Sequence, residues 1–245
     1  VVTLGNTIEN EAVPGGLYAT VASVGGWAMA SIVDVRGAME RARKLNLSPF
    51  LNRSHLVKSP MVAYADGSFG LPAYFELGRT HGVLVRLDGD GRARDTRRMA
   101  GFGKPIQPMV VPLDERRAVA FLRDFDPSGQ LLVSRTEDGG QSWSRVAPMG
   151  MGNPSSPVAA LGLGGQVILM AVNDDAERPE ILRLKLSGDG GGTWRDVHEF
   201  RGTDGALRYP MLRRLGTGEI VLSYSKGNKR GVVAHVFNQT WVEAQ

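Results

Sequence analysis

The sequence contains no cysteine, which excludes a disulfide framework, a thiolate metal site and a cysteine nucleophile. It also lacks an apolar run of about 20 residues, the length that crosses a bilayer, so we expect no membrane span. Its four histidines do not show metal-ligand spacing and no phosphate-binding glycine motif is present. We therefore expect no metal and no other cofactor. The 32 glycines indicate many turns instead.

The formal net charge of +4 would suit an anionic partner, either a nucleic acid or an anionic glycan. The basic residues are scattered, however, and the one cluster, at residues 92–98, is interrupted by Asp95. A nucleic-acid-binding surface would gather its basic residues into a stripe with interleaved aromatic residues. We therefore expect no nucleic acid partner and interpret most of the charge as a solvated surface.

One short pattern occurs twice, at Thr136–Trp143 and at Ser187–Trp194. Both copies read Ser/Thr-x-Asp-x-Gly-x-Ser/Thr-Trp. The Asp and the hydroxyl groups can accept hydrogen bonds from the N–H groups of a tight turn, and the glycines supply positive φ. The Trp can bury its ring and still donate its N–H. The pattern predicts a hairpin turn, and its recurrence predicts a repeat fold.

A proline-centred segment recurs at a spacing of about fifty residues, at Pro60, Pro108, Pro157 and Pro210. After each proline comes a polar or glycine-containing turn, and then an apolar run that predicts a strand. These runs are Phe69–Phe75, Ala118–Leu122, Val167–Val172 and Ile220–Tyr224.

A weaker copy precedes these four, beginning near Asn6 and ending with the apolar run Leu17–Val24. Five copies of several short strands each predict an all-β fold of the β-propeller type, because one such unit cannot bury both faces alone. No linker interrupts the copies, so we expect residues 1–245 to form a single domain. In the first two copies the Asp pattern has degenerated, at Asp34 and at Asp88–Gly91.

The two Asp patterns resemble the Asp-box of the bacterial neuraminidase repeat (BNR), found in the sialidase (neuraminidase) superfamily. Further resembling segments extend the likeness over nearly the whole chain: Gly25–Trp27, Leu47–Asn52, Ile106–Pro108, Asn153–Ser156 and Tyr209–Pro210. Sialidases have six blades, so the resemblance implies that this chain lacks the first blade of the family or is a reduced, five-bladed relative. The Asp-box is specific for the fold and weakly specific for activity, since non-enzymatic proteins also carry it.

The resemblance also implies a site. Sialidases bind the carboxylate of sialic acid with three arginines, because a guanidinium fork matches a carboxylate. Arg123 resembles the second of these arginines and Arg178 the third, while Tyr209 resembles the tyrosine nucleophile. Each residue also has a structural interpretation: a strand-end charge, a loop cation paired with Glu177 or Glu180, and a tyrosine packed at a blade entrance.

Two departures from the family pattern affect this site. Gln107 stands where many sialidases have the glutamate that activates the tyrosine, and an amide cannot take the proton of a phenol. Glu76, at the end of the second copy's strand, could point into the same central cleft and substitute; the alternative is an exposed strand-end carboxylate. The family's first arginine and its acid/base aspartate find no convincing match in this chain.

The sequence thus leaves two functions. The first is an exo-acting glycoside hydrolase of sialidase type that releases a terminal acidic sugar. It assigns catalysis to Tyr209 and Glu76, and substrate binding to Arg123, Arg178 and Gln107. The second is a non-catalytic propeller that binds a glycan or a protein. The resemblance slightly favours a periplasmic or extracellular location, although no signal peptide is visible.

Overall fold

The computed structural model describes residues 22–24, 27–29, 55–64, 66–76, 79–126, 128–227 and 229–245. These residues form short antiparallel strands followed by one short helix. In chain order they are β1 (Ala22–Val24), β2 (Trp27–Met29), β3 (His55–Val57), β4 (Val62–Ala63), β5 (Phe69–Phe75), β6 (His81–Leu87), β7 (Ala93–Met99), β8 (Pro105–Pro112), β9 (Ala118–Asp124), β10 (Gln130–Thr136), β11 (Ala147–Gly152), β12 (Ala159–Gly164), β13 (Val167–Val172), β14 (Ile181–Ser187), β15 (Arg195–Arg201), β16 (Arg208–Arg214), β17 (Ile220–Lys226), β18 (Gly231–Phe237) and α1 (Gln239–Ala244). Within the described residues, no helix has the length and apolar character needed to cross a bilayer.

The strands form four sheets, which are the blades of a propeller. The first blade has the order β1-β2-β3-β5-β6-β7, with β4 also paired to β5. The second contains β8 to β11, the third β12 to β15 and the fourth β16 to β18. The strand β8 packs against both β5 and β12, and β12 packs against β16. The first strands of the second, third and fourth blades therefore lie side by side at the centre, and β5 of the first blade packs against the first strand of the second.

The predicted all-β propeller is confirmed, but the prediction of five repeats is wrong for the described residues, which form four blades. The reason lies in the strand pairing of the first copy. Its strands β1 and β2 pair with each other, and β2 then pairs with β3, so that they extend the first blade rather than form one of their own. The rest of that copy, from Asn6, the degenerate pattern at Asp34 and the segment Leu47–Asn52 lie outside the described residues.

The four apolar runs predicted as strands are confirmed, as β5, β9, β13 and β17. In the two middle blades, β9 and β13 are buried almost throughout because a neighbouring blade covers each face, whereas β17 alternates between buried and partly exposed residues. The hydrophobic clusters accordingly lie between blades: Leu84 packs with Leu122 between the first two, and Phe121 with Met170 between the next two. Burial of each such side chain stabilises the fold by about 1.5–3 kcal/mol.

The repeated Asp pattern forms the predicted turn. In the Asp turn at Ser187–Trp194, Asp189 Oδ1 accepts hydrogen bonds from the Ser187 hydroxyl at 2.7 Å and from the Thr193 N–H at 2.9 Å. The adjacent Gly190 and Gly191 have φ values of 70° and 86°, a region that glycine enters without steric cost. In the turn at Thr136–Trp143, Asp138 accepts the corresponding hydrogen bonds.

The tryptophans of these turns join neighbouring blades. Trp194 of the third blade meets Phe121 of the second edge-on, with ring centroids 5.8 Å apart. Trp143 of the second blade packs against the cluster shared with the first blade. Within the described residues neither indole N–H has a hydrogen-bond partner, so the ring contributes packing rather than the predicted hydrogen bond.

The two ends of each blade carry different features. In the second blade Thr136, which begins the Asp turn, pairs with Ala118 at one end of β9. Arg123 lies at the other end of β9, where it pairs with Leu131 and Ile106. We call the end of the propeller that carries Arg123 the arginine rim. The Asp turns therefore lie away from the arginine rim.

Candidate functional site

The inner strands of the second and fourth blades are bulged at the arginine rim. The register of β8 against β9 shifts around Gln107, and that of β16 against β17 shifts around Tyr209. Both residues have left-handed backbone, with φ of 53° and 54°, and both precede a proline. Ser155, just before β12, has φ of 49°. Such conformations are strained for residues other than glycine, and bulges redirect the side chains they carry.

Arg123 is the common neighbour of these three residues. Its Nε donates to Ser155 Oγ at 3.0 Å, and its Nη1 donates to Gln107 Oε1 at 3.4 Å. Its guanidinium also lies close enough to the Tyr209 side chain for the two groups to interact. The three blades that contribute these residues thus meet at one arginine.

The charges around Arg123 act in opposite directions. Burial lowers the pKa of Arg123, the nearby Tyr209 opposes that shift, and the charge of Arg208 reinforces it. Glu76 also raises the pKa of Arg123, which places that carboxylate within electrostatic reach of the guanidinium. Arginine is the most basic side chain, so Arg123 stays cationic at neutral pH although burial lowers its pKa.

Gln107 bridges Arg123 and Tyr74. Only 1% of Gln107 is exposed, and its Nε2 donates to Tyr74 Oη at 3.3 Å. Burial raises the pKa of Tyr74 beyond its usual range; the hydrogen bond from Gln107 opposes this, while Glu76 and Tyr209 add to it. Tyr74 is therefore a neutral phenol at neutral pH, and Gln107 links it to the guanidinium.

Glu76 directly follows β5 and Arg123 is the last but one residue of β9, so both lie at the same end of their blades. The charge of Glu76 acts on both Tyr74 and Arg123, so it lies near the same group of side chains. One carboxylate oxygen, Oε2, is buried and has no hydrogen-bond partner within the described residues. The structure thus brings Glu76, Gln107, Arg123 and Tyr209 together, while their chemical roles stay predictions.

Arg178 does not join this group. It lies in the loop between β13 and β14, where its Nε contacts Asp175 Oδ2 at 2.6 Å and 51% of its side chain is exposed. The partner in this ion pair is Asp175 rather than Glu177 or Glu180. The loop still lies next to the rim, since the backbone N–H of Leu207, at the entry to β16, donates to the carbonyl that follows Arg178.

Sequence reasoning missed Lys58, which reaches across the centre of the propeller. Its Nζ donates to the carbonyl oxygens of Val158 at 2.6 Å and Pro210 at 3.0 Å. Burial lowers the pKa of Lys58 from 10.5 to about 7. A repeat signal existed: Lys58 stands two residues before Pro60, as Arg208 stands two residues before Pro210.

Arg208 is the second residue that sequence reasoning missed. Its Nη1 donates to Ser156 Oγ at 3.0 Å, and its charge reaches Arg123. Lys229 lies nearby as well, with Nζ 5.0 Å from the centroid of the Tyr209 ring, the geometry of a cation–π contact. The arginine rim is therefore strongly cationic around Tyr209.

A cleft lies between the first and second blades, near the first Asp turn. It is lined by polar and charged residues, among them Tyr64, Arg86, Arg116 and Asp138. It does not include the bulged strands. The chemistry that the sequence predicts is thus concentrated at the arginine rim and not in this cleft.

Comparisons with known proteins agree with this architecture. A family model described as a BNR repeat-like domain matches residues 4–222. A search among curated proteins gives no match. Solved structures do match. The NanB sialidase of Streptococcus pneumoniae is 14% identical with a TM-score of 0.59, over 74% of this chain and 30% of that one.

Two further structures show the same likeness. The leech intramolecular trans-sialidase is 15% identical with a TM-score of 0.56, over 79% of this chain and 33% of that one. A protein of unknown function from Dyadobacter fermentans is 21% identical with a TM-score of 0.58, over 74% of this chain and 52% of that one. At these identities the likeness shows the fold alone, and the matched part is about half or less of each longer protein. Because the family model covers most of the sequence, the chain belongs to the BNR repeat-like domain family, with the fold of a sialidase-like β-propeller.

Proposed function

We propose that the arginine rim binds the acidic group of a terminal sialic acid-type sugar and that the protein hydrolyses its glycosidic bond. The observation that carries this proposal is the closeness of the Arg123 guanidinium to the Tyr209 side chain, beside the bulge that turns Tyr209 at the arginine rim. It places an anion-binding group beside the residue that resembles the family's nucleophile. Both belong to the same rim of the propeller.

The substrate class follows from the chemistry of this pair. A guanidinium binds a carboxylate through two parallel hydrogen bonds, which fixes its position as well as its charge. In sialic acids the carboxylate is attached to the anomeric carbon. A carboxylate bound by Arg123 would therefore bring the reacting carbon toward Tyr209, whereas a neutral sugar would gain nothing from the guanidinium.

Tyr209 then acts as the nucleophile. Its Oη forms a bond to the anomeric carbon as the bond to the leaving oxygen breaks, the leaving oxygen takes a proton from solvent, and water later releases the sugar from the tyrosine. A phenol suits this position because a carboxylate nucleophile would be repelled by the carboxylate of the substrate. Glu76 accepts the phenol proton, a role supported by its buried Oε2 and its closeness to Arg123.

Arg178 and Gln107 complete the proposed binding site. Arg178 lies beside the rim and would exchange Asp175 for the substrate. Exposed ion pairs of this kind stabilise by only about 0–1 kcal/mol, so the exchange costs little. Gln107 holds Arg123 in place through its carbonyl oxygen.

A second candidate function is binding of an acidic glycan without turnover. The observation that favours it is the buried amide of Gln107, which lies next to Arg123 where an activating carboxylate would be expected. In this case the cationic rim would hold the ligand, and Tyr209 would contribute packing and a hydrogen bond.

The test is release of the fluorophore from methylumbelliferyl N-acetylneuraminic acid by the full chain, with ligand binding measured separately by calorimetry. Hydrolysis predicts release that falls about 100-fold or more in Tyr209→Phe and in Glu76→Gln. Tyr224→Phe, a tyrosine change elsewhere in the same blade, should leave release unchanged. Binding without release would support the second function, and absence of both would overturn the proposal.

A further inference from the structure

Two arginines from different blades are held by one short turn of a third. Arg123 of the second blade donates from Nε to Ser155 Oγ at 3.0 Å. Arg208 of the fourth blade donates from Nη1 to Ser156 Oγ at 3.0 Å. The consecutive serines lie just before the inner strand of the third blade. They therefore fix the relative position of the two guanidinium groups.

The turn that carries these serines is itself rigid. Ser156 is fully buried, and its N–H donates to Asn153 Oδ1 at 2.7 Å. The Ser155 hydroxyl donates its hydrogen to the Asp124 carbonyl oxygen at 2.7 Å, so its oxygen is left to accept from Arg123. Both guanidinium groups thus contact short serine hydroxyls that are carried by a hydrogen-bonded turn.

The two positive charges are close, and the Glu76 carboxylate acts on Arg123 without forming an ion pair with it in the described residues. Arg123 feels the charge of Arg208, and neither residue forms an ion pair with an Asp or Glu of the described part of the chain. Elsewhere the chain pairs its partly buried cations, as Arg183 does with Asp174 and Glu199. Like charges held together in a partly buried place repel each other, and a bound anion would offset that cost.

The bulge explains how Arg208 and Tyr209 can serve one site. Consecutive residues of a regular strand point to opposite faces, but a bulge sets two residues against one on the partner strand and redirects them. Here Arg208 and Tyr209 both act on Arg123. An anion held by Arg208 would therefore lie next to the phenol of Tyr209.

We propose that Arg208 is a carboxylate-binding residue of this site, acting together with Arg123 across the Ser155–Ser156 turn. The inference rests on the proposed function, because it takes an acidic sugar as the ligand. It adds a cation that the family resemblance does not assign and that the sequence pattern did not single out. It also makes Arg208 a determinant of specificity for acidic over neutral sugars.

The competing explanation is that Arg208 only joins the third and fourth blades through Ser156. The test therefore measures affinity and stability separately. Calorimetry with N-acetylneuraminic acid gives affinity, thermal unfolding gives stability, and the variants are Arg208→Gln, Arg208→Lys and Arg213→Gln. Arg213 is an exposed arginine of the same strand and serves as the matched control.

The proposal predicts that Arg208→Gln weakens binding of the acid about tenfold or more, since it removes a charged hydrogen bond. Arg208→Lys keeps the charge and loses the fork, so its loss should be smaller, and it provides a folded variant if Arg208→Gln unfolds. Arg213→Gln should bind as the parent does. If the parent hydrolyses the sialoside, the loss in Arg208→Gln should appear as a raised KM with kcat little changed.

Two results would overturn the inference in distinguishable ways. If the parent protein binds the acid and both Arg208 variants bind it equally well, Arg208 is only a structural residue, whatever their melting temperatures. The proposed function would survive that result. If the parent protein binds no acidic sugar at all, the proposed function fails and this inference fails with it.

Discussion

Lys58 Nζ donates to the carbonyl oxygen of Pro210 at 3.0 Å, which joins the first blade of the propeller to the fourth. The same ammonium donates to the carbonyl oxygen of Val158 in the third blade at 2.6 Å. One side chain therefore connects three blades across the centre. Its burial is the reason that the pKa of Lys58 falls to about 7.

This lowered pKa predicts a stability that rises with pH. Between pH 7 and 10.5 the folded protein holds Lys58 neutral while the unfolded chain still binds its proton, so the free energy of unfolding increases through that window. Below about pH 7 the cost of burying the charge is fully present. In Lys58→Met this pH dependence should disappear.

Urea unfolding at two pH values, about 6.5 and 8.5, measures the effect. Relative to Lys58→Met, the parent should gain on the order of 1 kcal/mol between the two. The exposed Lys226 provides a matched control, and Lys226→Met should follow the parent. Equal pH profiles for the parent and Lys58→Met would show that Lys58 is not protonated differently in the folded state.

Replacement of Gln107 by glutamate should increase hydrolysis. The new carboxylate would stand beside Arg123, as the Gln107 oxygen does at 3.4 Å, and could take the proton of the Tyr209 phenol. A positioned general base typically contributes 10²–10⁴-fold, but the new carboxylate would share that role with Glu76, so we expect a smaller gain of about tenfold in release of the fluorophore from the sialoside.

Gln245→Glu controls for the added charge, because Gln245 is exposed at the end of the chain. It should leave the rate unchanged. A rate in Gln107→Glu that stays at the parent's level would show that the residue at this bulge does not limit the reaction.

Two glycines of the second Asp turn should respond differently to alanine. Gly191 has φ of 86°, and a Cβ there would lie 3.2 Å from Phe121 Cζ and 3.3 Å from the Trp194 ring. Gly191→Ala should therefore lower the free energy of unfolding by about 1–2 kcal/mol or more. At Gly188 a Cβ would meet nothing within 4 Å, so Gly188→Ala should change the free energy of unfolding by less than about 0.5 kcal/mol. Denaturant midpoints compare the two, and equal losses would contradict the packing that we describe.

Asp138 should stabilise the protein at neutral pH and lose that contribution in acid. Its partial burial acts against ionisation, but hydrogen bonds from Ser142 and Thr136 outweigh that and lower the pKa of Asp138 to about 2. An aspartate with a lowered pKa stabilises the fold above its ordinary value of 3.8, and this contribution is lost as pH falls toward 2.

Asp138→Asn should therefore destabilise the protein at pH 7 by about 1 kcal/mol, with the difference from the parent shrinking below about pH 4. Glu137→Gln, at an exposed neighbour in the same turn, should show no such pH dependence. Thermal unfolding between about pH 2 and 7 measures both variants. A difference that grows toward low pH would contradict this account.

The sequence predicted the strands that pack on both faces more accurately than it predicted their assembly. The runs Phe69–Phe75 and Val167–Val172 coincide with β5 and β13, because a strand covered on both sides must be apolar throughout. The number of blades was wrong because strand pairing is a long-range property. Nothing in the residues of β1 and β2 indicates that they would extend the first blade.

The residues grouped around Arg123 could be anticipated only in part from the sequence. The family resemblance singled out Arg123 and Tyr209, and the repeat spacing placed them at the same end of their blades. Arg208 and Lys58 were missed because their roles depend on bulges and on reach across the centre, which a strand pattern does not encode. The ion pair of Arg178 with Asp175 depends on the conformation of a loop, and sequence proximity alone pointed to other partners.

The left-handed backbone at Gln107 and Tyr209 has a consequence for how such proteins diverge. Any unbranched side chain at these positions carries much the same backbone strain, and the strand pairing on either side does not depend on its identity. A single codon change can therefore exchange an amide for an acid, or a phenol for a hydroxyl, without altering the scaffold. The side chain that each bulge presents at the arginine rim can therefore change while the left-handed backbone stays the same.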